Sequence, residues 1–128
     1  MRVLLDTHSL LWFLEGDERL SERARGIIED GQNDVATSIA SLWEAAIKHS
    51  LGKLDLGRPF ADLIPAQLEV NSISVLGIEV PHIVRLIALP FHHRDAFDRL
   101  IIAQSLVEDI PLIGLDTDFD LYGVSRLW

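Results

Sequence analysis

Asp6 and Asp116 each close a short apolar run, Val3-Leu4-Leu5 and Leu112-Ile113-Gly114-Leu115, while Glu44 and Asp98 sit in stretches of helical periodicity, with Asp95 as a fifth acid beside them. An unbroken apolar run reads as a strand buried on both faces. Such a strand delivers the next residue to its C-terminal end. In an open parallel sheet, ligands bind at that edge, beside the point where strand order reverses. If the two strands are neighbours, their carboxylates lie side by side. Two such charges about 4 Å apart repel by roughly 4 kcal/mol at an effective dielectric near 20, so a cluster of four calls for a cation or raised pKa values. With only oxygen ligands and no cysteine in the chain, Mg²⁺ or Mn²⁺ is favoured over zinc. Such an ion polarises a phosphoryl oxygen and prepares a water for in-line attack on a phosphodiester. Taken singly, each acid has an ordinary role: Asp6, Thr7 or Asp95 as a helix cap, Asp98 favouring a helix dipole, Glu44 paired with Lys48 one turn on.

The elements that must position these groups follow from the pattern of apolar residues. After the first strand, Ser9 to Gly16 reads as a short buried helix, and Ser21 caps a surface helix over Glu22 to Asp30 closed by Gly31. Val35 to Thr37 is a second strand. Ser38 to Ser50 is the strongest helical stretch, with Ile39, Leu42, Trp43, Ala46 and Ile47 on one face. Phe60 to Val70 is helical in period, with Pro65 arguing against continuity. Ile73 to Leu76 is a third strand. A helix beginning at Pro81 ends near Pro90, and Asp95 caps the helix running to Val107. Leu112 to Leu115 is a fourth strand, Phe119 to Tyr122 a turn, and Val124 to Trp128 a final edge strand. Strands alternating with helices indicate a parallel α/β sandwich.

The 128 residues are most simply one domain spanning 1–128. Twenty Asp and Glu against eleven Lys and Arg give a net charge of −9, which opposes non-specific attachment to nucleic acid or anionic lipid. A simple basic binding module is thereby disfavoured. A nuclease is not, because bound divalent cations invert the local field where a phosphate docks. Disulfides, thiolate zinc sites and cysteine nucleophiles are excluded. The apolar start reaches Asp6 too soon for a signal peptide and no stretch is long enough for a membrane span, so a cytoplasmic protein with no membrane partner is expected.

The segments Leu4-Leu5-Asp6-Thr7-His8, Ser38-Ile39-Ala40-Ser41-Leu42-Trp43-Glu44-Ala45-Ala46-Ile47-Lys48, His93-Arg94-Asp95-Ala96-Phe97-Asp98-Arg99-Leu100-Ile101-Ile102-Ala103-Gln104 and Leu115-Asp116-Thr117-Asp118-Phe119 closely resemble a PIN domain. More narrowly, they are similar to VapC-type toxin ribonucleases of bacterial toxin-antitoxin pairs. The resemblance implies a three-layer α/β/α sandwich around a parallel sheet of about five strands. It also implies an acidic site binding Mg²⁺ or Mn²⁺ that hydrolyses single-stranded or loop RNA to 5′-phosphate and 3′-hydroxyl ends. By position, Asp6, Glu44, Asp98 and Asp116 match the family's metal-binding acids and Asp95 is a further candidate. Thr7 and Ser38 match its supporting hydroxyls. Gly114 departs from the family's Thr or Ser, and Ala96 from a proline common in this subgroup. The resemblance further implies a homodimer silenced by a cognate antitoxin whose C-terminal segment fills the groove. Trp12, Phe13 and Trp43 would offer apolar surface for either, although core is the commoner fate of such aromatics.

Lys48, Lys53, Arg94 and Arg99 are candidate RNA contacts, with solvated surface charge the equally good reading. His92 and His93 read as a surface loop rather than a metal site. Two other functions fit the same residues. One is a catalytically weak PIN-like module that binds RNA or antitoxin. The other is a Mg²⁺-dependent phosphatase with Asp6 as nucleophile, though that chemistry usually wants an acid where this chain has His8.

Overall fold

The computed structural model describes residues 1–92 and 95–128. Among them β1 (Arg2–Leu5), β2 (Asp34–Ser38), β3 (Ser74–Leu76), β4 (Leu112–Ile113) and β5 (Arg126–Leu127) form one sheet in the order β3-β2-β1-β4-β5. Every pairing is parallel. β1 lies at the centre, with Leu5 opposite Thr37 of β2 on one side and Ile113 of β4 on the other. Its residues alternate, as strand geometry requires. Val3 and Leu5 pack with Leu10, Ala24, Ile28, Ile64 and Leu68, whereas Leu4 packs with Ile101, Ile102 and Phe119.

Helices α1 (Thr7–Glu15), α2 (Glu22–Glu29) and α4 (Phe60–Val70) supply the first of these clusters. Helices α5 (Val80–Ala88) and α6 (Ala96–Glu108) flank the second. Between them, α3 (Ile39–Ser50) touches both α1 and α6. A sheet with helices on both faces is the expected α/β/α sandwich.

Local differences from the expected boundaries have simple causes. α1 starts at Thr7 rather than Ser9 because the Asp6 side chain caps it, accepting from the Ser9 amide at 2.8 Å. β4 is two residues long, and a 3₁₀ turn, Thr117–Tyr122, follows with Asp116 as its cap. α4 continues through Pro65. The missing amide would have bonded the Ala61 carbonyl, and both residues are exposed, so water can take that carbonyl. Ala96 is the first residue of α6, a position that tolerates proline without requiring it.

One buried polar link sets the height of α3. Ser38 caps α3 by accepting from the Ala40 amide at 3.0 Å and donates to Gln104 Oε1 of α6, both side chains being fully buried. Gln104→Met, close in volume, leaves that hydroxyl facing a thioether. The expected loss is about 1–3 kcal/mol, read by urea unfolding.

Candidate functional site

The sheet order reverses at β1. The chain first lays β2 and β3 to one side, then returns to place β4 and β5 on the other. The crevice between the carboxyl ends of β1 and β4 is therefore a switch point, where α/β sheets bind ligands. The Asp6 amide donates to the Ile113 carbonyl at 3.0 Å, which seats Asp6 beside the end of β4. Asp6, Asp98 and Asp116 line one cleft of about 280 Å³ together with His8, Trp12, Leu115 and Phe119. Asp98 comes from the first turn of α6.

Asp6 is 5% exposed. Burial pushes its carboxyl above the ordinary value of 3.8, and the charge of Asp116 adds to the rise, against the hydrogen bonds from Ser9 and the charge of His8. Gly114 is part of the reason for the burial. A Cβ there would meet Asp6 Oδ2 at 2.9 Å and the Phe119 ring at 2.9 Å, so the glycine lets the ring close over the carboxylate.

Glu44 is equally buried and does not line this cleft. Its Oε1 accepts from the Thr7 hydroxyl at 2.7 Å, and its Oε2 holds Lys48 Nζ at 2.8 Å. Ser41 Oγ stands 2.9 Å from the same Thr7 hydroxyl, which has given its one proton to Glu44 and accepts from Ser41. The hydrogen bond to Glu44 holds the Lys48 ammonium above its ordinary value, and the charges of Asp95 and Asp98 add to this. Lys48 thus links Glu44 electrostatically to the acids of α6. Asp95 caps α6 through the Phe97 and Asp98 amides at 2.8 and 3.0 Å, and lies outside the cleft lining.

The remaining candidates separate. Lys53 is exposed. Arg94 and His93 lie outside the described residues, and His92 is exposed with its ring against Tyr122. Arg99 does not face solvent. It is 7% exposed and donates to the Pro90 and Leu89 carbonyls just past the end of α5, and to the Leu86 carbonyl, which also accepts from the Leu89 amide. Trp12 and Phe13 are half-buried against the core, whereas Trp43 is 59% exposed and meets Phe97 edge-on. Among the cleft residues, sequence reasoning assigned His8 no site role and read Trp12 only as apolar surface for a partner. Their spacing of four, directly after Asp6, is the signal, visible only once α1 is known to begin at Thr7.

Divalent-ion chemistry suits the three carboxylates of the cleft, an all-oxygen set that includes a carboxyl raised by its burial and further by the charge of Asp116. The spacing is not preassembled: among the described residues, no three His, Asp or Glu side chains are grouped to hold a metal ion.

The family model described as PIN domain matches residues 3–124. The curated protein ribonuclease VapC16 of Mycobacterium tuberculosis is 36% identical over 58 residues, 45% of this chain and 41% of that relative. The match thus spans less than half of that relative's length. Among solved structures, VapBC2 of Rickettsia felis bound to a DNA fragment from its promoter gives a TM-score of 0.73 at 12% identity, covering 99% of this chain and 98% of that one. VapC20 of Mycobacterium tuberculosis, titled a sarcin-ricin loop cleaving toxin, gives 0.69 at 16% identity over 95% of each chain. At such identities the likeness is one of fold.

The raised Asp6 carboxyl has a thermodynamic consequence. Above 3.8 the unfolded chain releases this proton while the folded chain still holds it, so stability falls as pH rises through that window. Asp6→Asn keeps an acceptor for the Ser9 amide and carries no charge. Without divalent ions, its melting temperature should exceed that of the parent at neutral pH. The gap should open above about pH 4 and vanish below it, as followed by thermal melts across the pH range.

Proposed function

The chain belongs to the PIN domain family, and from that premise we propose that residues 1–128 form one PIN domain acting as a metal-dependent endoribonuclease, the toxin of a type II toxin-antitoxin pair. The observation that carries this reading is the meeting of Asp6, Asp98 and Asp116 in one cleft at the switch point of the sheet. VapC16 carries the name ribonuclease and VapC20 is titled a loop-cleaving toxin, which support the activity and an RNA substrate. The antitoxin partner is supported by the solved VapBC2 complex. No helix among the described residues is long and apolar enough to cross a membrane; a cytoplasmic site of action is part of the proposal.

Asp6, Asp98 and Asp116 would hold Mg²⁺ or Mn²⁺, with Glu44 joining them and Asp95 contributing charge. The ion, when bound, supplies Lewis-acid polarisation of the phosphoryl oxygen and a water of lowered pKa. The chain's own residues do the rest. Asp6 is fixed by the Ser9 amide and by Phe119 over Gly114, so its oxygens cannot drift. Thr7 and Lys48 hold the two oxygens of Glu44 in one orientation. Leu115 and Phe119 present apolar surface to the cleft and exclude water from one side of it. Lys48 and Lys53 remain cations for phosphate contact.

A homodimer is supported by α5. Val80, Ile83, Val84 and Ile87 recur at helical spacing and are 75%, 41%, 62% and 77% exposed, an apolar stripe on the outer face of the helix.

Two experiments test the reading. Purified, antitoxin-free protein with Mg²⁺ or Mn²⁺ should make discrete cuts in total bacterial RNA, abolished by EDTA. Asp98→Asn should lower the rate by about 100-fold or more, since losing even an outer partner of a metal ligand costs up to about that much. Intact RNA beside measurable Mn²⁺ binding would leave a binding module in place of the enzyme. Separately, Val84→Glu with Ile87→Glu should convert a dimer to a monomer in sedimentation. An unchanged dimer would move the interface elsewhere.

A further inference from the structure

Besides its three carboxylates, the cleft is lined by three rings, His8, Trp12 and Phe119, and by Leu115. His8 stacks on Trp12 with ring centres 5.5 Å apart and planes 28° from parallel. Trp12 is itself held from two more directions. Trp128 meets it edge-on at 6.1 Å, and the Arg19 guanidinium lies 5.1 Å from its centre, with Arg19 paired to Asp17 at 2.7 Å. Packing explains Trp12, whose indole leans on the core. It does not explain His8, which is exposed, adds nothing to the core, and lines the cleft beside Asp6. The indole behind it gives the imidazole a fixed plane.

Resting on the ribonuclease reading, we propose that His8, backed by Trp12, is a base-stacking subsite that takes a nucleobase of the RNA next to the phosphate being cut. The charge of the chain adds weight to such a subsite. At −9, binding gains little from the release of counterions that gives most nucleic-acid-binding proteins their affinity. Stacking is indifferent to net charge. It is worth about 5- to 150-fold in affinity per base and tolerates any sequence, because every base has a flat face. A base laid on His8 also brings its adjoining phosphate to the acids of the same cleft. Positioning of this kind selects unpaired RNA, since a base inside a duplex has no free face to offer.

The test compares the parent with His8→Ala, His8→Phe and His8→Gln, their fold checked by circular dichroism. The probe is a pool of short single-stranded RNA carrying 2-aminopurine. His8→Ala should raise KM by about 5- to 150-fold with kcat within about 2-fold, and should lose the quenching of 2-aminopurine seen on binding. His8→Phe, which keeps a plane, should restore both. His8→Gln, which keeps polarity without a plane, should restore neither. An unchanged KM in His8→Ala, or Phe behaving like Ala, overturns the subsite while leaving the nuclease standing. A fall in kcat alone overturns it too and assigns His8 to the reacting atoms. RNA left uncut by the parent protein overturns the ribonuclease reading, and the subsite falls with it.

Discussion

The burial of one carboxylate governs this site. Asp6 ends the central strand of the sheet, begins α1 as its cap, and lies under the Phe119 ring in the space that Gly114 leaves. Each contact is made with a different part of the chain. The Phe119 ring is also part of the core cluster around Leu4, Ile101 and Ile102. Moving Asp6 therefore means disturbing the core, and the site inherits the rigidity of the sheet. The absence of a side chain at position 114 takes on a meaning here. A hydroxyl-bearing residue would not fit beside Asp6 Oδ2 and Phe119 as they are placed, so the departure from the family's Thr or Ser is matched by the ring that fills the gap.

Much of this was legible from the residue pattern. Apolar runs ended by aspartate mark two adjacent strands, because a strand buried on both faces shows no alternation and stops abruptly where it meets solvent. The helical stretches of α3 and α6 are legible for the same reason, through their period. What escaped depends on partners distant in sequence. Arg99 looks like surface charge on a helix, yet the carbonyls of Leu89 and Pro90 need donors where α5 stops, and only the fold brings Arg99 to them. Pro65 looks like a helix breaker, but its cost is confined to a carbonyl that water reaches. His8 escaped through an error of two residues in where α1 begins.

Glu44 and Asp6 solve the same difficulty in opposite ways. Both are buried acids. Glu44 is compensated within the chain, by the Thr7 hydroxyl on one oxygen and the Lys48 ammonium on the other. Removing Lys48, which is itself partly exposed, would strand the buried charge of Glu44. Asp6 has no ammonium or guanidinium partner in the described structure, and burial raises its pKa. Of the two, Asp6 is therefore the group whose charge stands to gain more from a cation arriving in the cleft, while Glu44 must first exchange Lys48 for it.

The placement of the acids shows what makes the cluster tolerable. Asp6 caps α1, Asp116 caps the 3₁₀ turn, Asp95 caps α6, and Asp98 stands in the first turn of α6. All four lie at helix starts, where free backbone amides and the positive end of the dipole favour negative charge by about 0.3–1 kcal/mol each. Glu44 is the exception, placed mid-helix in α3 where no such help exists. It is also the acid with a lysine one turn away, the spacing at which the two side chains meet on a helix. A parallel sheet with helices leading away from its carboxyl edge gathers helix starts there as a consequence of topology. The same reversal of strand order that opens the crevice thus supplies the local fields that let several carboxylates gather around it.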